Sequence, residues 1–207
     1  MHRHEINQIL DACAHYFRAD GFEVPARGRI YRPLGHHVLG WVGLASTSDR
    51  DALEVWPNVG VHEVCVMKMV SALQGRKYVK GDVATYAVSL GEVVPKSTPF
   101  KFFGGEDHAA QAMRLVETVV VHGLPWMEKA GSLDLIQLLK QREKVLGGVP
   151  ERIAVALYLH HRMSEVLDYL KDRQDRYDKD AANPEVAESW KRFSDALLRQ
   201  EPRASDR

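Results

Sequence analysis

The chain has 207 residues, and its 28 lysines and arginines balance 28 aspartates and glutamates to a formal net charge of zero. That balance excludes a whole-molecule attraction to nucleic acid or to an anionic membrane, though not a local patch. With 45% apolar and 27% charged residues the composition is that of a soluble globular protein, and no apolar run approaches the ~20 residues of a membrane-spanning helix. A chain of this length buries roughly 70% of the surface it would expose unfolded, so it needs no staples. Cys13 and Cys65 each sit in an apolar helical pattern and read as buried, reduced thiols, not as a disulfide framework. The polar start MHRHEINQIL has no signal-peptide core, which gives a cytoplasmic expectation.

Residues Glu5 to Ala19 place Ile6, Ile9, Leu10, Cys13, Tyr16 and Phe17 at helical spacing, and Gly21 ends that helix. A connector, Phe22 to Val24 with Pro25, leads to strand patterns at Arg29–Leu34, His37–Thr47 and Ala52–Trp56, read together as an antiparallel meander. Gly40 and Gly43 mark a bulge or a close backbone approach in the second of them. At Trp56 the third strand meets Pro57, Asn58 and Gly60. These read as a tight turn into a helix over His62–Gln74, with Val66, Met69, Val70 and Leu73 inward and Gly75 as its stop. Asp82–Leu90 alternates, with Ala84, Tyr86, Val88 and Leu90 on one side and Thr85 and Ser89 on the other, which predicts a half-buried strand. Gly91–Gly105, with Pro95 and Pro99, reads as an irregular loop.

From Glu106 onward every pattern is helical. Glu106–His122 carries Ala109, Met113, Val116 and Val120 on one stripe, with Gly123 and Pro125 as its stop. Ser132–Lys144 has Ser132 as N-cap and Leu133, Ile136 and Leu139 inward. A Gly147-Gly148 hinge, one long helix from Pro150 to Tyr177 and a last helix from Glu185 to Arg199 after Asn183-Pro184 complete the chain. The change of hydrophobic period predicts an α+β fold: a small, mostly antiparallel sheet of about four strands packed against helices, with an all-helical C-terminal region. We assign residues 1–145 to the α+β domain and 146–207 to a helical extension packed on it.

The chemistry-bearing residues form no recognisable constellation. His161 and Glu165 lie four apart, as paired metal ligands on a helix face would, but no second pair completes a site, and a solvated or interhelical pair is the favoured reading of so frequent a spacing. His62 and Glu63 at an expected helix start could act as a base, or Glu63 could simply complement the helix dipole. Ser89, Asp107 and His108 make a triad on paper that nothing in the sequence brings together. Arg27, Arg29, Arg32, His36 and His37 surround Tyr31, a basic-aromatic cluster of a kind that can grip nucleic acid, yet no nucleic-acid motif accompanies it. We therefore expect no catalytic set, metal or cofactor. The candidate partner-binding residues are Phe100, Phe102 and Phe103, three aromatics within the irregular loop, with Glu106 and Asp107 beside them. The alternative reading of these rings is core. If they are exposed, replacing Phe102 and Phe103 by Ser weakens partner binding and moves the thermal midpoint little.

The order of Gly21-Phe22, the Arg29–Arg32 strand start, the strand around Trp41, VWPNVGVHE, TYAVSLGEVVP and VVVHGLPWMEKAGSLDLIQLLK resembles the small bacterial domains of unknown function of type 4304 and their relatives, over residues 5–144. Several such families stand beside polymorphic toxins as immunity proteins. The resemblance implies a non-enzymatic α+β binding protein and supplies no catalytic residue. The expectation is a cytoplasmic binding protein that neutralises a cognate toxin by occluding its active site. The alternatives are a small enzyme with a cleft between sheet and helices, or an assembly subunit using the charged helix Asp168–Asp180.

Overall fold

The computed structural model describes residues 1–95, 98–146, 149–180 and 182–200; the expected Gly147-Gly148 hinge lies outside them. The chain forms an α+β fold with a six-stranded antiparallel sheet and a helical C-terminal region. It divides into two compact units. The first is Met1–Val64 with Val79–Leu133, and the second is Cys65–Tyr78 with the chain from Asp134 onward.

The first unit holds α1 (Arg3–Ala19), β1 (Glu23–Ala26), β2 (Arg29–Pro33), β3 (Val38–Ser48) and β4 (Ala52–Glu63). After the excursion into the second unit come β5 (Tyr86–Ser89), the single turn α3 (Leu90–Val93), β6 (Phe100–Phe103), α4 (Ala109–Thr118), a π-helical turn (Val119–Gly123) and α5 (Leu124–Gly131). The strand order is β1-β2-β3-β4-β5, and β6 also pairs with β4. The connector at Glu23–Ala26 is thus an edge strand, where Pro25 and a register irregularity are tolerated.

The central strand β4 overturns the expected turn at Pro57. It runs without interruption beside β3, from Leu53 opposite Ser48 to Glu63 opposite Val38. Its other edge is shared. Ala52–Val55 pair with β6 and Asn58–Val61 with β5. Thr85 donates its N–H to Val61 O and Gly104 to Asp51 O, so the odd-numbered residues of β4 face this shared edge. Pro57 is odd-numbered and lies between the two paired segments, where among the described residues no strand stands opposite its nitrogen, so the missing N–H breaks no ladder of those strands. Gly60 has a different reason. A β-carbon there would lie 2.4 Å from Tyr86 O, and its absence lets β5 approach. His62 and Glu63 accordingly end a strand; the helix begins at Val64.

One face of the sheet makes the core. Ile30, Val42, Leu53, Val55, Val59, Val88, Phe100 and Phe102 meet Ile9, Cys13 and Phe17 of α1 and Ala112, Leu115, Val116, Val119 and Met127 of the later helices. The space between sheet and helices is filled by these side chains. The segment expected to stop at Gly123 continues as α4, the π turn and α5. Leu124 donates its N–H to Val119 O, five residues back, and the widened turn accommodates Pro125, whose ring would clash in a regular α-helix. The buried stripe is Ala112, Leu115, Val116 and Val119: Val116 is inward as expected, whereas Met113 is exposed and Val119, not Val120, is buried. Gly91–Gly105 is not an irregular loop throughout, since it contains α3 and β6.

The second unit contains α2 (Val64–Leu73), α6 (Leu135–Leu146), α7 (Pro150–Leu159), α8 (Met163–Asp178) and α9 (Pro184–Leu198). In sequence from α6 to α9, each helix packs on the next. Six consecutive residues of α7, Ile153–Tyr158, are buried, which marks it as the central helix. The expected single helix from Pro150 to Tyr177 is broken at His161, which adopts φ 56°; Arg162 returns its N–H to Leu157 O. The cap of α6 is Asp134, whose Oδ1 accepts the Ile136 N–H at 2.9 Å, and Leu133 is exposed, contrary to the expectation from Ser132. Cys65 is likewise exposed, whereas Cys13 is buried. Trp190 Nε1 donates to Leu170 O at 3.2 Å, and Glu143 accepts from both the Tyr169 hydroxyl and Arg173, joining α6 to α8.

Candidate functional site

The face of the sheet opposite the core divides into a covered half and an open half. Over the covered half lies the segment Val79–Thr85. Trp41 Nε1 donates to Gly81 O at 3.1 Å, the His62 ring nitrogen Nδ1 lies 2.7 Å from Val83 O, and Lys80 stands 4.9 Å above the Tyr31 ring. His62 is buried, and so is Thr85, against the outward placement read from the sequence. The Thr85 hydroxyl accepts the Glu63 N–H at 2.8 Å. Gly43 belongs to the same face: a β-carbon there would lie 2.2 Å from the Trp41 indole, so the glycine lets that ring lie flat across the strand.

The open half is built from the alternation of β3, β4 and β6. Cross-strand pairing sets Ala45 beside Trp56, Thr47 beside Glu54, Glu54 beside Lys101, and Ala52 beside Phe103. Trp56 is 43% exposed and Phe103 46%. On β4, Trp56 is four residues from Ala52, so the two aromatics are about 14 Å apart along the strand direction. Between them Lys101 Nζ and a Glu54 carboxylate oxygen pair at 2.7 Å. The bond to Glu54, aided by its charge, raises the Lys101 pKa. The charges of the open half therefore neutralise each other, leaving two aromatic rings at its ends.

The five expected partner-binding residues separate. Phe100 and Phe102 belong to the core, Phe102 being 1% exposed with the His108 ring edge-on at 6.0 Å. Their burial corrects the reading of all three rings as one exposed group. The period of two in β6 turns alternate residues to opposite faces. Asp107 Oδ1 accepts the Ala109 N–H at 3.0 Å and so caps α4, and Glu106 is exposed beside it. Phe103 alone of the aromatics remains available. The sequence reading missed Trp56 as its companion, although the alternation Ala52, Glu54, Trp56 carried the signal.

The other candidate groups are dispersed. Ser89 caps α3 through its Oγ, on a strand pairing with Asn58, while His108 stands against Phe102, which pairs with Leu53. Five residues of β4, about 17 Å, separate those positions, so the paper triad does not assemble. His161 lies outside the helices, and Glu165 accepts from Arg162 and from Lys140 Nζ at 3.2 Å. Those two cations, Arg162 first, hold the Glu165 carboxyl below its ordinary range. In the basic cluster Arg27 pairs with Asp11 at 2.8 Å, Arg32 donates to Asp20 O, and Tyr31 is buried on the opposite face of β2 from Arg32. Among the described residues no group of His, Cys, Asp and Glu is arranged to hold a metal ion, and no helix is long and apolar enough to cross a membrane.

No protein-family model matches the chain, and the comparisons found no matching curated protein or solved structure.

Proposed function

We propose that this protein acts by binding another protein through the open half of its outer sheet face, with Trp56 and Phe103 as anchors. The observation that carries the reading is the exposure of these two rings on either side of the self-neutralised Glu54–Lys101 pair. Aromatic side chains present large area at low entropic cost, and truncating one that becomes desolvated costs ~2 kcal/mol or more. A nucleic-acid face of the same shape would need surplus positive charge beside the rings, and here the lysine is already paired. Within this reading the partner is a toxin whose active site the protein covers in the cytoplasm, as the sequence resemblance implies.

The test is co-purification with the product of the neighbouring gene, followed by titration calorimetry. A stoichiometric complex that relieves that product's toxicity is expected. Trp56→Ser with Phe103→Ser should weaken it by about thirtyfold or more, since ~2 kcal/mol corresponds to that ratio, with the thermal midpoint held. Failure of the neighbour to bind removes the toxin reading. Full affinity in the double variant places the contact elsewhere.

A further inference from the structure

Strand β3 is longer than its partner β2. β2 pairs with Leu39–Val42 only, so among the described residues Gly43–Ser48 are bonded to β4 alone. The direction of the unpaired groups follows from the turns. Leu34 donates its N–H to Val38 O at 2.9 Å, so the even-numbered residues of β3 face the β2 side. Ser46 and Ser48 therefore present both N–H and C=O to an open edge. Natural edges are blunted by lysine, proline, bulges or brevity. β1 has Pro25 and an irregular register, and β5 and β6 have four residues each. The β3 edge has no such device. Ala45–Ser48 are exposed and uncharged, and the β3–β4 register is continuous.

We infer that this edge is a homodimer interface, in which the β3 edges of two copies pair antiparallel about a two-fold axis through Thr47. That register puts Ser46 opposite Ser48 of the copy, so each pair exchanges both backbone bonds, and Thr47 meets Thr47 of the copy as a close cross-strand pair. It places no like charges opposite one another, since Ala45 faces Asp49. The β1–β2 turn carries Arg29 and stands beside the start of the open edge, where the copy's hairpin turn brings Asp49 and Asp51 on either side of Arg50; Arg29 can pair with one of these carboxylates, whereas Arg27 is held by Asp11. Arg29 has no ion-pair partner among the described residues to compete for this role. The inference does not depend on the outer-face reading above.

Sedimentation equilibrium of the protein alone decides it, over about 5 to 500 µM, the range in which so short an interface dissociates. A monomer–dimer equilibrium is expected. Ser46→Pro removes the outward N–H without touching the β4 ladder, and Ser46→Lys sets like charges near each other across the axis. Each should weaken association about tenfold or more, with circular dichroism unchanged. The Ser46 and Ser48 amides should exchange slowly at high concentration and fast at low. A monomer throughout the range overturns the inference. So does a dimer that both substitutions leave intact, because its interface then lies elsewhere. If Ser46→Pro does not fold, Ser46→Lys, which keeps every backbone bond, settles the matter alone.

Discussion

Phe102 and Phe103 are neighbours in sequence and opposites in consequence. Phe102 is sealed against Leu53, His108 and the core, so Phe102→Ser combines a cavity with a buried hydroxyl and should cost about 3–5 kcal/mol. Phe103→Ser should change stability by less than about 0.5 kcal/mol. Urea denaturation of the two single variants checks both values, and the double Ser variant expected from the sequence to stay folded should instead unfold. The cysteines divide in the same way. Burial pushes the Cys13 thiol pKa up to about 12, while Cys65 is exposed at the start of α2. In a native titration with a chromogenic disulfide, Cys65 should react and Cys13 should not until denaturant is added. Neither distinction was legible in the chain, because apolar character gives a residue's preference for burial, whereas its side of the element is set by the register of its neighbours.

Elements were legible where one period ran undisturbed. α1, the antiparallel pairing of β2, β3 and the first part of β4, and α9 follow their patterns because period 3.6 and period 2 each fix a buried face. The misreadings fall where a residue with strong local meaning sits in a context that neutralises it. Pro57, Asn58 and Gly60 spell a turn, but the proline faces the space between two edge partners and the glycine faces a close carbonyl. Gly123 and Pro125 spell a helix end, but a π turn carries the helix past them. The candidate site shared this fate. Phe103 was visible as an aromatic near a loop, and Trp56 was hidden in a strand assumed to end there. Gly60→Ala tests the close approach. The added methyl meets backbone and cannot be relieved by a rotamer, so a loss of at least about 1–3 kcal/mol is expected by denaturant midpoint. The same substitution at Gly28, where nothing lies within 4 Å of the new carbon, meets only its positive φ, and should cost less, about 1 kcal/mol.

At the scale of the whole molecule the second unit brings its own pH dependence. Burial, and then the hydrogen bond to Glu143, raise the Tyr169 pKa far above the ordinary phenol range. The folded state therefore holds that proton more tightly than the unfolded chain. This contribution is intact below the unfolded-state pKa near ~10 and is lost as pH rises beyond it. Thermal midpoints measured between about pH 8 and 11 should fall over the upper half of that range. Tyr169→Phe, which keeps the ring and removes the titrating group, should flatten the decline; an unchanged slope would assign it to other groups.

The division of the chain has a consequence during synthesis. The second unit takes Cys65–Tyr78 from the middle of the first and waits for Asp134 onward to complete itself. α2, with Val66, Met67 and Val70 destined for burial, leaves the ribosome well before the helices with which it is grouped. At about 5–20 residues per second the interval is several seconds, long compared with the collapse of a small chain. Whatever burial of Val66, Met67 and Val70 comes from those helices is therefore completed only after the chain from Asp134 onward has emerged.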